Sequence, residues 1–379
     1  MTAQSSVRLL IAGGGTGGHV LPAVAVIEEF RTRQVDLHVL WIGSHGGVER
    51  SIAGAQNIPF VAVQTGKLRR YASLKTVSDA FRIPIGIAQA WRHVRAFKPD
   101  VIYSTGGAVS VPTALSGSRS APVLTHEQTA QIGLSNRTLA KVAATFAVGF
   151  EDTALLARQI HDHVVLTGNP VRSSLSGGDR NRGFAAFGLT SELPVIYVTG
   201  GARGASPLNQ RIEQLLPDLL EVVQIVHQVG PPSANGDLEQ LSALKGTYPP
   251  HLAERYVVKD FITSELADLY AITALVIGRA GAGTISELAY LGLPSILIPL
   301  PGTWGDEQRK NARVLESAGG AVYLEQSDAT PERLDAEVRS LILAPDRLRE
   351  MAAASASISR PDASAKLVDE LLALANQGR

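Results

Sequence analysis

Short runs of β-branched and other apolar residues alternate along this chain with longer segments in which apolar residues recur at helical spacing. This alternation predicts parallel β-sheets with helices on both faces. Val7–Ala12 reads as a strand that leads through the glycine-rich Gly13–Gly18 into a helix around Ala23–Phe30. Further buried strands are predicted at Leu37–Ile42, Val101–Ser104 and Val123–Thr125.

The same plan begins again in the second half of the chain. A strand at Pro194–Thr199 is followed by the glycine-rich turn Gly200–Ala205 and a helix through Asn209–Leu219. Later strands are predicted at Val222–Gln228, Arg255–Val258, Ala274–Ile277 and Ser295–Pro299. Because 379 residues also exceed the size at which one core keeps growing, the sequence predicts two doubly wound α/β domains.

Domain boundaries are predicted from turn residues and composition. We place the first domain at residues 1–167 and the second at residues 168–350, with the break at Gly168-Asn169-Pro170. The Ala-rich tail of about 351–379 is predicted to be helical and to pack back on the first domain. Ligands of such sheets bind beyond the carboxyl ends of the strands, so the residues that follow each strand are the candidates for chemistry.

The first glycine loop contains the dinucleotide-type spacing G-x-G-x-x-G. A nicotinamide site would also need an acidic residue at the end of the second strand, and Trp41–Ser44 has none. Thr16 and His19 lie at the helix entrance. His19 is either a structural histidine or a general base, and its place on a strand-end glycine loop favours the base.

The second glycine loop, Gly278–Glu287, follows a predicted buried strand and opens a helix. The amides of Ala282, Gly283 and Thr284 should therefore face a ligand, and unpaired amides at a positive helix end bind phosphate without metal. Glu287 is placed to accept two hydroxyls of a ribose. The alternative is that Thr284 and Glu287 form a capping box, which would leave the glycine spacing unexplained.

Polar residues also follow the strand Val123–Thr125. His126-Glu127-Gln128 comes directly after it and precedes the segment Ile132–Arg137. Three polar side chains at a strand end suit an acceptor site, whereas a polar helix entrance is the competing interpretation.

The sequence predicts no metal site and no tightly bound cofactor. It has no cysteine and no Asp-x-Asp, the pattern with which many sugar transferases hold a divalent ion. The ligand-like cluster His161-Asp162-His163 consists of neighbours that do not converge readily on one ion. Helix ends and arginine would therefore have to stabilise a leaving diphosphate.

The chain as a whole is electrically neutral, but one of its segments is strongly basic. Thirty-five basic residues balance 35 acidic ones, which argues against a nucleic-acid partner. No signal peptide and no apolar run long enough to span a bilayer are visible, so the predicted membrane contact is peripheral and cytoplasmic. Residues Gly66–Lys98 carry eight Lys or Arg against Asp79, and Pro84 is expected to break the helical run there.

This basic segment also carries apolar side chains. Cations beside apolar residues suit a surface that settles on anionic headgroups. The alternative is a helix pair packed on its own sheet with solvated cations. The predicted membrane-side residues are Arg69, Arg70, Lys75, Phe81, Ile85 and Trp91.

Taken together, these motifs resemble the MurG-type undecaprenyl-diphospho-muramoylpentapeptide N-acetylglucosaminyltransferases. The similarity covers nearly the whole chain in order. In the first half it rests on Ala12–Pro22, Gly66–Arg70, Ser104–Gly107 with Ser110, and His126–Arg137. In the second half it rests on Gly168–Arg172, Gly200-Gly201 with Gly204-Ala205, His227-Gln228, Arg279–Glu287 and Gly292–Pro294.

The resemblance implies a GT-B fold, with two Rossmann-like domains facing a cleft. It implies an enzyme of peptidoglycan synthesis that moves N-acetylglucosamine, with inversion, from UDP-N-acetylglucosamine to the 4-hydroxyl of a lipid-linked muramyl pentapeptide. The polyprenyl-linked acceptor would bind the first domain and the UDP-sugar the second. The implied location is the cytoplasmic face of the cell membrane, where the protein would sit peripherally on the inner leaflet.

The resemblance also assigns site residues. It implies that Arg172 lies near the donor, that the Phe261-Ile262 backbone contacts uracil, that Glu287 holds the ribose and that Gln308 contacts the sugar. The predicted catalytic residues are His19 and Glu287. The predicted donor-side set is Thr16, Gly17, Gly18, Arg172, Gly201, Ala202, Ile262, Ala282, Gly283, Thr284, Glu287 and Gln308. The predicted acceptor-side set is Gly15, Thr16, His19, His126, Glu127 and Asn136.

Three alternatives stay open at this point. The first is a related enzyme on the same fold, either a transferase for another acceptor or a UDP-N-acetylglucosamine epimerase. The second is a nicotinamide-dependent oxidoreductase that uses the first glycine loop. The third is a silent nucleotide-binding protein, since Ala202, Gly302 and Glu307 depart from the residues usual in the family.

Overall fold

The computed structural model describes residues 6–15, 17–65 and 74–377, and of residues 74–82 only the backbone. The chain divides into two compact units. Unit 1 consists of Met1–Arg172 and Arg360–Arg379, and unit 2 of Ser173–Ser359. The division therefore falls a few residues after the predicted break at Gly168.

Unit 1 is built on a seven-stranded sheet of order β3-β2-β1-β4-β5-β6-β7. All its paired strands run parallel. The strands are β1 Val7–Gly13, β2 Leu37–Gly43, β3 Phe60–Ala62, β4 Val101–Gly106, β5 Val123–Glu127, β6 Thr145–Val148 and β7 Val164–Leu166. The helices of unit 1, numbered along the chain, are α1 Gly17–Thr32, α2 Glu49–Ala55, α3 Leu74–Phe97, α4 Ser110–Gly117, α5 Leu134–Leu139, α6 Glu151–Ala157 and, after unit 2, α16 Ala363–Gln377.

Unit 2 repeats the plan with six parallel strands in the order β10-β9-β8-β11-β12-β13. Its strands are β8 Val195–Thr199, β9 Gln224–Gln228, β10 Tyr256–Lys259, β11 Thr273–Gly278, β12 Ser295–Leu297 and β13 Ala321–Tyr323. Its helices are α7 Arg180–Phe187, α8 Ser206–Leu219, α9 Asp237–Lys245, α10 Pro250–Ala253, α11 Leu266–Ile272, α12 Ala282–Leu291, α13 Glu307–Ala318, α14 Pro331–Ile342 and α15 Pro345–Ser357, with short 3-10 turns at Ser173–Gly177 and Trp304–Asp306.

The central strands are buried because helices cover both faces of each sheet. β4 and β8 are buried along their whole length, as their continuous apolar runs predict. Each unit has its own apolar core. The prediction of two doubly wound parallel-sheet domains is confirmed.

The C-terminal tail is shared between the units. α16 returns to unit 1, where Leu367, Leu371 and Leu374 join the apolar core formed with α1. α15, which contains Met351, stays in unit 2, where Met351 joins the core. The return therefore begins at Arg360 and not at residue 351, because the apolar face of α15 is already used by unit 2.

α3 runs unbroken through Pro84, so the expected helix break at that residue is wrong. Proline keeps a helical φ and removes one backbone hydrogen bond, a cost of roughly 3 kcal/mol. The second half of α3 buries Ala90 and Val94 against the sheet, which offsets that cost. In the part of the chain that the structure describes, no helix is both long and apolar enough to cross a bilayer.

Candidate functional site

In both sheets the strand order reverses beside the first strand of the unit, between β1 and β4 in unit 1 and between β8 and β11 in unit 2. A crevice beyond the carboxyl ends of the strands at this point is the usual ligand site of a doubly wound sheet. The glycine loops singled out in the sequence follow β1, β8 and β11.

In unit 1, Glu49 holds the first glycine loop from inside. Its buried carboxylate accepts the amide of Gly15 at 2.9 Å and the amide and hydroxyl of Ser44 at 2.7 and 2.6 Å. Burial alone would raise the pKa of Glu49, but the hydrogen bonds from Ser44 and Gly15 outweigh it and lower the pKa below its usual range. The amide of Gly15 is thus already paired with an anion, which disfavours a dinucleotide phosphate at this loop.

His19 lies in the first turn of α1 and is half-buried. Its Nδ1 is 3.1 Å from Oε1 of Gln128, which follows β5. Gly106, the last residue of β4, and Gly107 leave room for the His19 ring, because a Cβ on either would come within 3.4 Å of it. His19 therefore faces the switch point of unit 1.

His126, the first of the three polar residues His126-Glu127-Gln128 at the end of β5, is completely buried. Its Nε2 is 3.1 Å from the carbonyl oxygen of Gly168, and its Nδ1 is 3.3 Å from both the Tyr103 hydroxyl and Nε2 of Gln128. Burial lowers the pKa of His126 to about 4. This histidine is consequently neutral at physiological pH.

Glu127 and Asn136 shape the loop that follows β5. Oε1 of Glu127 accepts from the amide and hydroxyl of Thr129, and Oε2 accepts from the amide of Gly133 and from Nδ2 of Asn136 at 2.8 and 2.9 Å. Asn136 also accepts from the Thr125 hydroxyl at 3.0 Å. Both side chains are buried, so they bond within unit 1, and their contact with an acceptor stays a prediction.

The structure gathers most of the predicted acceptor-side residues at one place in unit 1. Gly15 is exposed and His19 is half-buried, whereas His126, Glu127 and Asn136 are buried. Half-buried Gly17 and exposed Gly18, which belong to the predicted donor-side set, stand between Gly15 and His19 in the chain. Thr16 lies outside the described residues. Of the set, His19 is the titratable side chain that solvent reaches.

In unit 2 the second glycine loop opens α12, whose N-cap is Gly281. Glycine has no side chain with which to cap the amides of the first turn, which begins at Ala282. A Cβ at Gly283 would meet no described atom within 4 Å, and one at Gly281 would meet only the Thr284 hydroxyl at 3.7 Å. The fold itself thus does not require these glycines.

The capping-box alternative is wrong. The N-cap is Gly281, which places Thr284 at the third helical position and Glu287 in the second turn of α12. Glu287 is half-buried, and its Oε2 accepts from the hydroxyl of Tyr270 on α11 at 2.8 Å. This bond holds one oxygen of the Glu287 carboxylate in place, and its contact with a ribose stays a prediction.

Two buried side chains hold the segment that precedes α12. Arg279 donates to the carbonyls of Ile298 and Pro299 at 3.0 and 3.1 Å. Asn311 donates from Nδ2 to the carbonyl of Ala280 at 3.1 Å. Burial, with a smaller effect of Arg211, lowers the pKa of Arg279 to about 10, and the guanidinium stays charged. The helix entrance is thereby held in place before any ligand binds.

Gln228, at the end of β9, ties the other predicted donor-side loops together. Its Oε1 accepts the amide of Ile262 at 2.9 Å, and its Nε2 donates to Thr199 Oγ1 and to the Gly201 carbonyl at 3.1 and 3.3 Å. The Ile262 amide is therefore already bonded. The carbonyl of Ile262 and the exposed ring of Phe261 are the groups here that could contact a nucleobase, and that contact stays a prediction.

The remaining predicted donor-side residues are spread over unit 2 and the last residue of unit 1. Ala202 is exposed, and half-buried Gln308 accepts the amide of Leu300 through Oε1 at 2.9 Å. Arg172 ends unit 1, and no described residue bonds to its buried Nε. Their contact with a donor stays a prediction.

His161 and His163 form a local structural contact. His161 bonds to the carbonyl of Ala143 through Nε2 and to the amide of His163 through Nδ1, at 3.1 and 3.0 Å. Among the described residues no group of three or more His, Cys, Asp or Glu side chains is placed to hold a metal ion.

The predicted membrane-side residues are described only in part. Arg69 and Arg70 lie outside the described residues, and Lys75 and Phe81 fall where only the backbone of α3 is described. Ile85 and Trp91 are 51% and 49% exposed on α3.

Four residues near these loops form hydrogen bonds that the sequence does not predict. Gln128 and Gln228 stand in recognised motifs, but nothing in their spacing shows which atoms they bond. Glu49 and Tyr270 lie in no motif, since each reaches its partner only through the folded chain.

Comparison with known proteins defines the class. Residues 9–148 match the glycosyltransferase family 28 N-terminal domain, and residues 195–367 match the glycosyltransferase family 28 C-terminal domain. The paired parallel-sheet units and their loops are thus those of a glycosyltransferase, an enzyme that transfers hexosyl groups.

The relatives narrow the class further. The UDP-N-acetylglucosamine–N-acetylmuramyl-(pentapeptide) pyrophosphoryl-undecaprenol N-acetylglucosamine transferase of Lachnospira eligens is 36% identical over 336 residues, which cover 88% of this chain and 90% of that protein. The crystal structure of MurG from Acinetobacter baumannii aligns with a TM-score of 0.72 and 28% identity over 97% of this chain and 99% of that one. The chain therefore belongs to the MurG-type family of GT-B fold, as its motifs predict.

One further solved structure shares the fold. A UDP-GlcNAc 2-epimerase from Neisseria meningitidis aligns with a TM-score of 0.67 over 97% of this chain and 100% of that one. Its 16% identity shows the fold alone.

Proposed function

We propose that this protein transfers N-acetylglucosamine from UDP-N-acetylglucosamine to the 4-hydroxyl of a polyprenyl-linked muramyl pentapeptide, with inversion, in peptidoglycan synthesis. The acceptor would bind unit 1 and the donor unit 2. The proposal is supported by the activity that names the Lachnospira eligens relative, which aligns with 88% of this chain at 36% identity.

The observation in the structure that carries the proposal is the entrance of α12. Its glycines leave open space, its N-cap is a glycine without a capping side chain, and the Tyr270 hydroxyl holds the carboxylate of Glu287 on the same helix. Backbone amides at a helix N-terminus bind phosphate oxygens, and a carboxylate accepts ribose hydroxyls. These two groups together match a nucleoside diphosphate.

On the donor side the work is charge stabilisation. As the bond between the anomeric carbon and the diphosphate breaks, negative charge develops on the leaving UDP. Amides of Ala282–Thr284 would meet that charge, and each such donor is often worth about 3–4 kcal/mol in the transition state. Arg172, whose Nε has no described partner, is the proposed cation near this charge. A divalent ion is not needed in this scheme.

On the acceptor side the work is proton removal. The 4-hydroxyl oxygen forms a bond to the anomeric carbon while its proton passes to His19 and the electron pair of the broken bond leaves with UDP. A single displacement of this kind inverts the configuration at that carbon. His19 suits the part because it is the half-buried titratable group at the switch point of unit 1.

We also propose that the protein acts at the cytoplasmic face of the membrane as a peripheral protein, since its acceptor is polyprenyl-linked. α3 exposes Ile85 and Trp91, and the guanidinium of Arg95 lies 5.3 Å from the centre of the Trp91 ring. An exposed aromatic beside a cation fits the boundary between headgroups and acyl chains.

The test is a transfer assay with the full chain. Radiolabelled UDP-N-acetylglucosamine is incubated with and without a polyprenyl-linked muramyl peptide, and competing UDP-sugars are added in further reactions. We expect label in the lipid fraction only when the acceptor is present. Conversion of the sugar in the donor-only reaction, with no label in lipid, would identify an epimerase and reject the proposal.

A further inference from the structure

We propose that Gln128 is a positioning residue that fixes the tautomer of His19, so that Nδ1 carries the proton and Nε2 stays bare to accept one. Its catalytic meaning rests on the proposed function, in which His19 is the base. The tautomer itself follows from hydrogen bonds within unit 1.

The first step concerns His126. The carbonyl oxygen of Gly168, 3.1 Å from Nε2, can only accept, so Nε2 of His126 carries a proton. The ring is completely buried and neutral at physiological pH, since burial lowers its pKa to about 4. Nδ1 of His126 is therefore an acceptor, and the hydroxyl of Tyr103 can donate to it at 3.3 Å.

The second step orients the amide of Gln128. One end of this amide lies 3.0 Å from the carbonyl oxygen of His126 and 3.3 Å from Nδ1 of the same residue. Both of these atoms accept, so the end that faces them must be the NH2 group. The carbonyl end, Oε1, is thereby directed at Nδ1 of His19, 3.1 Å away.

The third step fixes His19. An amide oxygen only accepts, so Nδ1 of His19 must be the donor in this contact. In a neutral imidazole the other nitrogen, Nε2, then holds the lone pair. No described residue forms a hydrogen bond to that nitrogen. Nε2 is thus the atom that would receive the proton of the acceptor hydroxyl.

Gln128 is built to hold this orientation. The residue is buried, with 2% of its surface exposed, and Nδ2 of Asn169 donates to its backbone carbonyl at 2.7 Å. A buried amide that is bonded at both ends cannot rotate without breaking contacts to His126 or His19. The Gly168 carbonyl fixes the proton of His126 on Nε2. The acceptors of His126 then fix the NH2 end of Gln128, and the carbonyl end of Gln128 fixes the proton of His19 on Nδ1.

The first experiment needs no variant. Full-length protein is labelled with 15N-histidine, and the two ring nitrogens of His19, identified by their loss in His19→Gln, are observed at pH 7.5. We expect the Nδ1 signal of a protonated nitrogen and the Nε2 signal of a bare one. A proton on Nε2 of the neutral ring would overturn the inference whether or not the protein transfers sugar.

The second experiment separates positioning from folding. Gln128→Leu removes the acceptor of the Nδ1 proton, and we expect it to abolish the single tautomer and to lower kcat for transfer by about 10- to 100-fold, since general-base catalysis typically contributes 10²–10⁴-fold. The KM for the donor and the affinity for UDP should stay within about twofold, because unit 2 is untouched. Exposed Gln159→Leu is the matched control and should change none of these quantities.

The outcomes are distinguishable. A loss of kcat in Gln128→Leu with the His19 tautomer unchanged would mean a merely structural role and contradict the inference. If the native protein shows the expected tautomer but labels no lipid-linked acceptor, the proposed function fails and the tautomer assignment stands.

Discussion

At the scale of single side chains, His126 and His19 of unit 1 differ in their access to solvent. His126 is sealed in the sheet and neutral, whereas His19, one glutamine away, is half-buried at the switch point. A proton acceptor has to reach its substrate, and a buried imidazole does not. The same residue type therefore has a structural part in β5 and a proposed chemical part in α1.

Substitution of His19 tests that separation. We expect His19→Ala to lower kcat by about 10²- to 10⁴-fold, because a general base is removed, while UDP affinity stays nearly unchanged. The measurements are steady-state transfer and calorimetric titration with UDP. His163→Ala, an exposed histidine in the same unit, is the control and should leave both intact. Equal losses of turnover and of UDP affinity would remove His19 from the part of base.

At the scale of elements, the entrance of α12 combines a helix end with glycines that the fold does not need. Glycine in the first turn of a helix costs up to about 1 kcal/mol relative to alanine. A Cβ at Gly283 would have open space around it, so close packing does not explain why a glycine stands there. Close approach of a ligand to the backbone explains it.

Gly283→Ala turns this argument into a prediction. We expect UDP affinity to fall by tenfold or more, because the methyl group enters the space of the diphosphate, while the free energy of unfolding stays equal or rises by about 0.4–1 kcal/mol. Titration calorimetry and urea denaturation measure the two quantities. Gly54→Ala, at an open and exposed position of α2, is the control and should raise stability without affecting UDP. Unchanged UDP binding in Gly283→Ala would place the nucleotide elsewhere.

α3 is the element whose exposed face we assign to the membrane. We expect the double substitution Ile85→Glu and Trp91→Glu to reduce sedimentation with vesicles of anionic lipid several-fold, since charge replaces the side chains that would enter the acyl boundary. Leu155→Glu on α6, a residue 60% exposed in the same unit, is the matched control. Equal sedimentation of all three proteins would assign the apolar residues of α3 to the surface of a soluble domain.

Much of the element plan is predictable because buried parallel strands are continuous apolar runs. Val101–Ser104 and Pro194–Thr199 correspond to β4 and β8 within two residues at each end. The short strands β3, β6, β7 and β13 are not predicted, since runs of three or four residues carry little pattern. The expected helix break at Pro84 is wrong because helix propensity describes only the local cost of a proline. Whether the helix continues depends on the packing of the rest of α3.

The candidate site was predictable only as far as a residue acts through its neighbours in sequence. His19 and the α12 entrance stand in motifs, so the sequence alone singles them out as candidates. The bonds of Glu49 to Gly15 and of Tyr270 to Glu287 join residues far apart in the chain, and no spacing predicts them. The sequence marks Gln128 as a polar residue, but the orientation of its amide is set by contacts with His126 in the folded chain.

At the scale of the whole molecule, the two units repeat one plan, and each encloses a neutral histidine. His227 in unit 2 bonds to the Tyr256 hydroxyl and to Asn209 Oδ1, both at 3.0 Å. Burial lowers the pKa of His227 to about 3, as it lowers that of His126 to about 4. Protonating either ring would place an unpaired charge inside a core.

This predicts acid sensitivity with a definite sign. In the unfolded chain both histidines take up a proton near pH 6.5, and in the folded chain only near their lowered pKa values, so stability present above pH 6.5 is lost as the pH falls toward 4. Each contributes a loss of about 1.4 kcal/mol per pH unit in that range. Urea denaturation from pH 7.5 to 4.5 measures it.

Two variants identify the groups responsible. We expect His227→Gln to reduce the pH dependence of the free energy of unfolding by about 1.4 kcal/mol per pH unit and to leave the share of His126, and exposed His45→Gln to change nothing. A free energy of unfolding that stays constant or rises as the pH falls from 6.5 would contradict the assignment of both buried rings.

The most direct measurement of the central claim is a crystal structure of the full chain with UDP bound. The account predicts the diphosphate on the amides of Ala282–Thr284 and the ribose hydroxyls on Glu287, whose other bond to Tyr270 persists. UDP found at the Gly13–Gly18 loop, or no ordered UDP at saturating concentration, would contradict it.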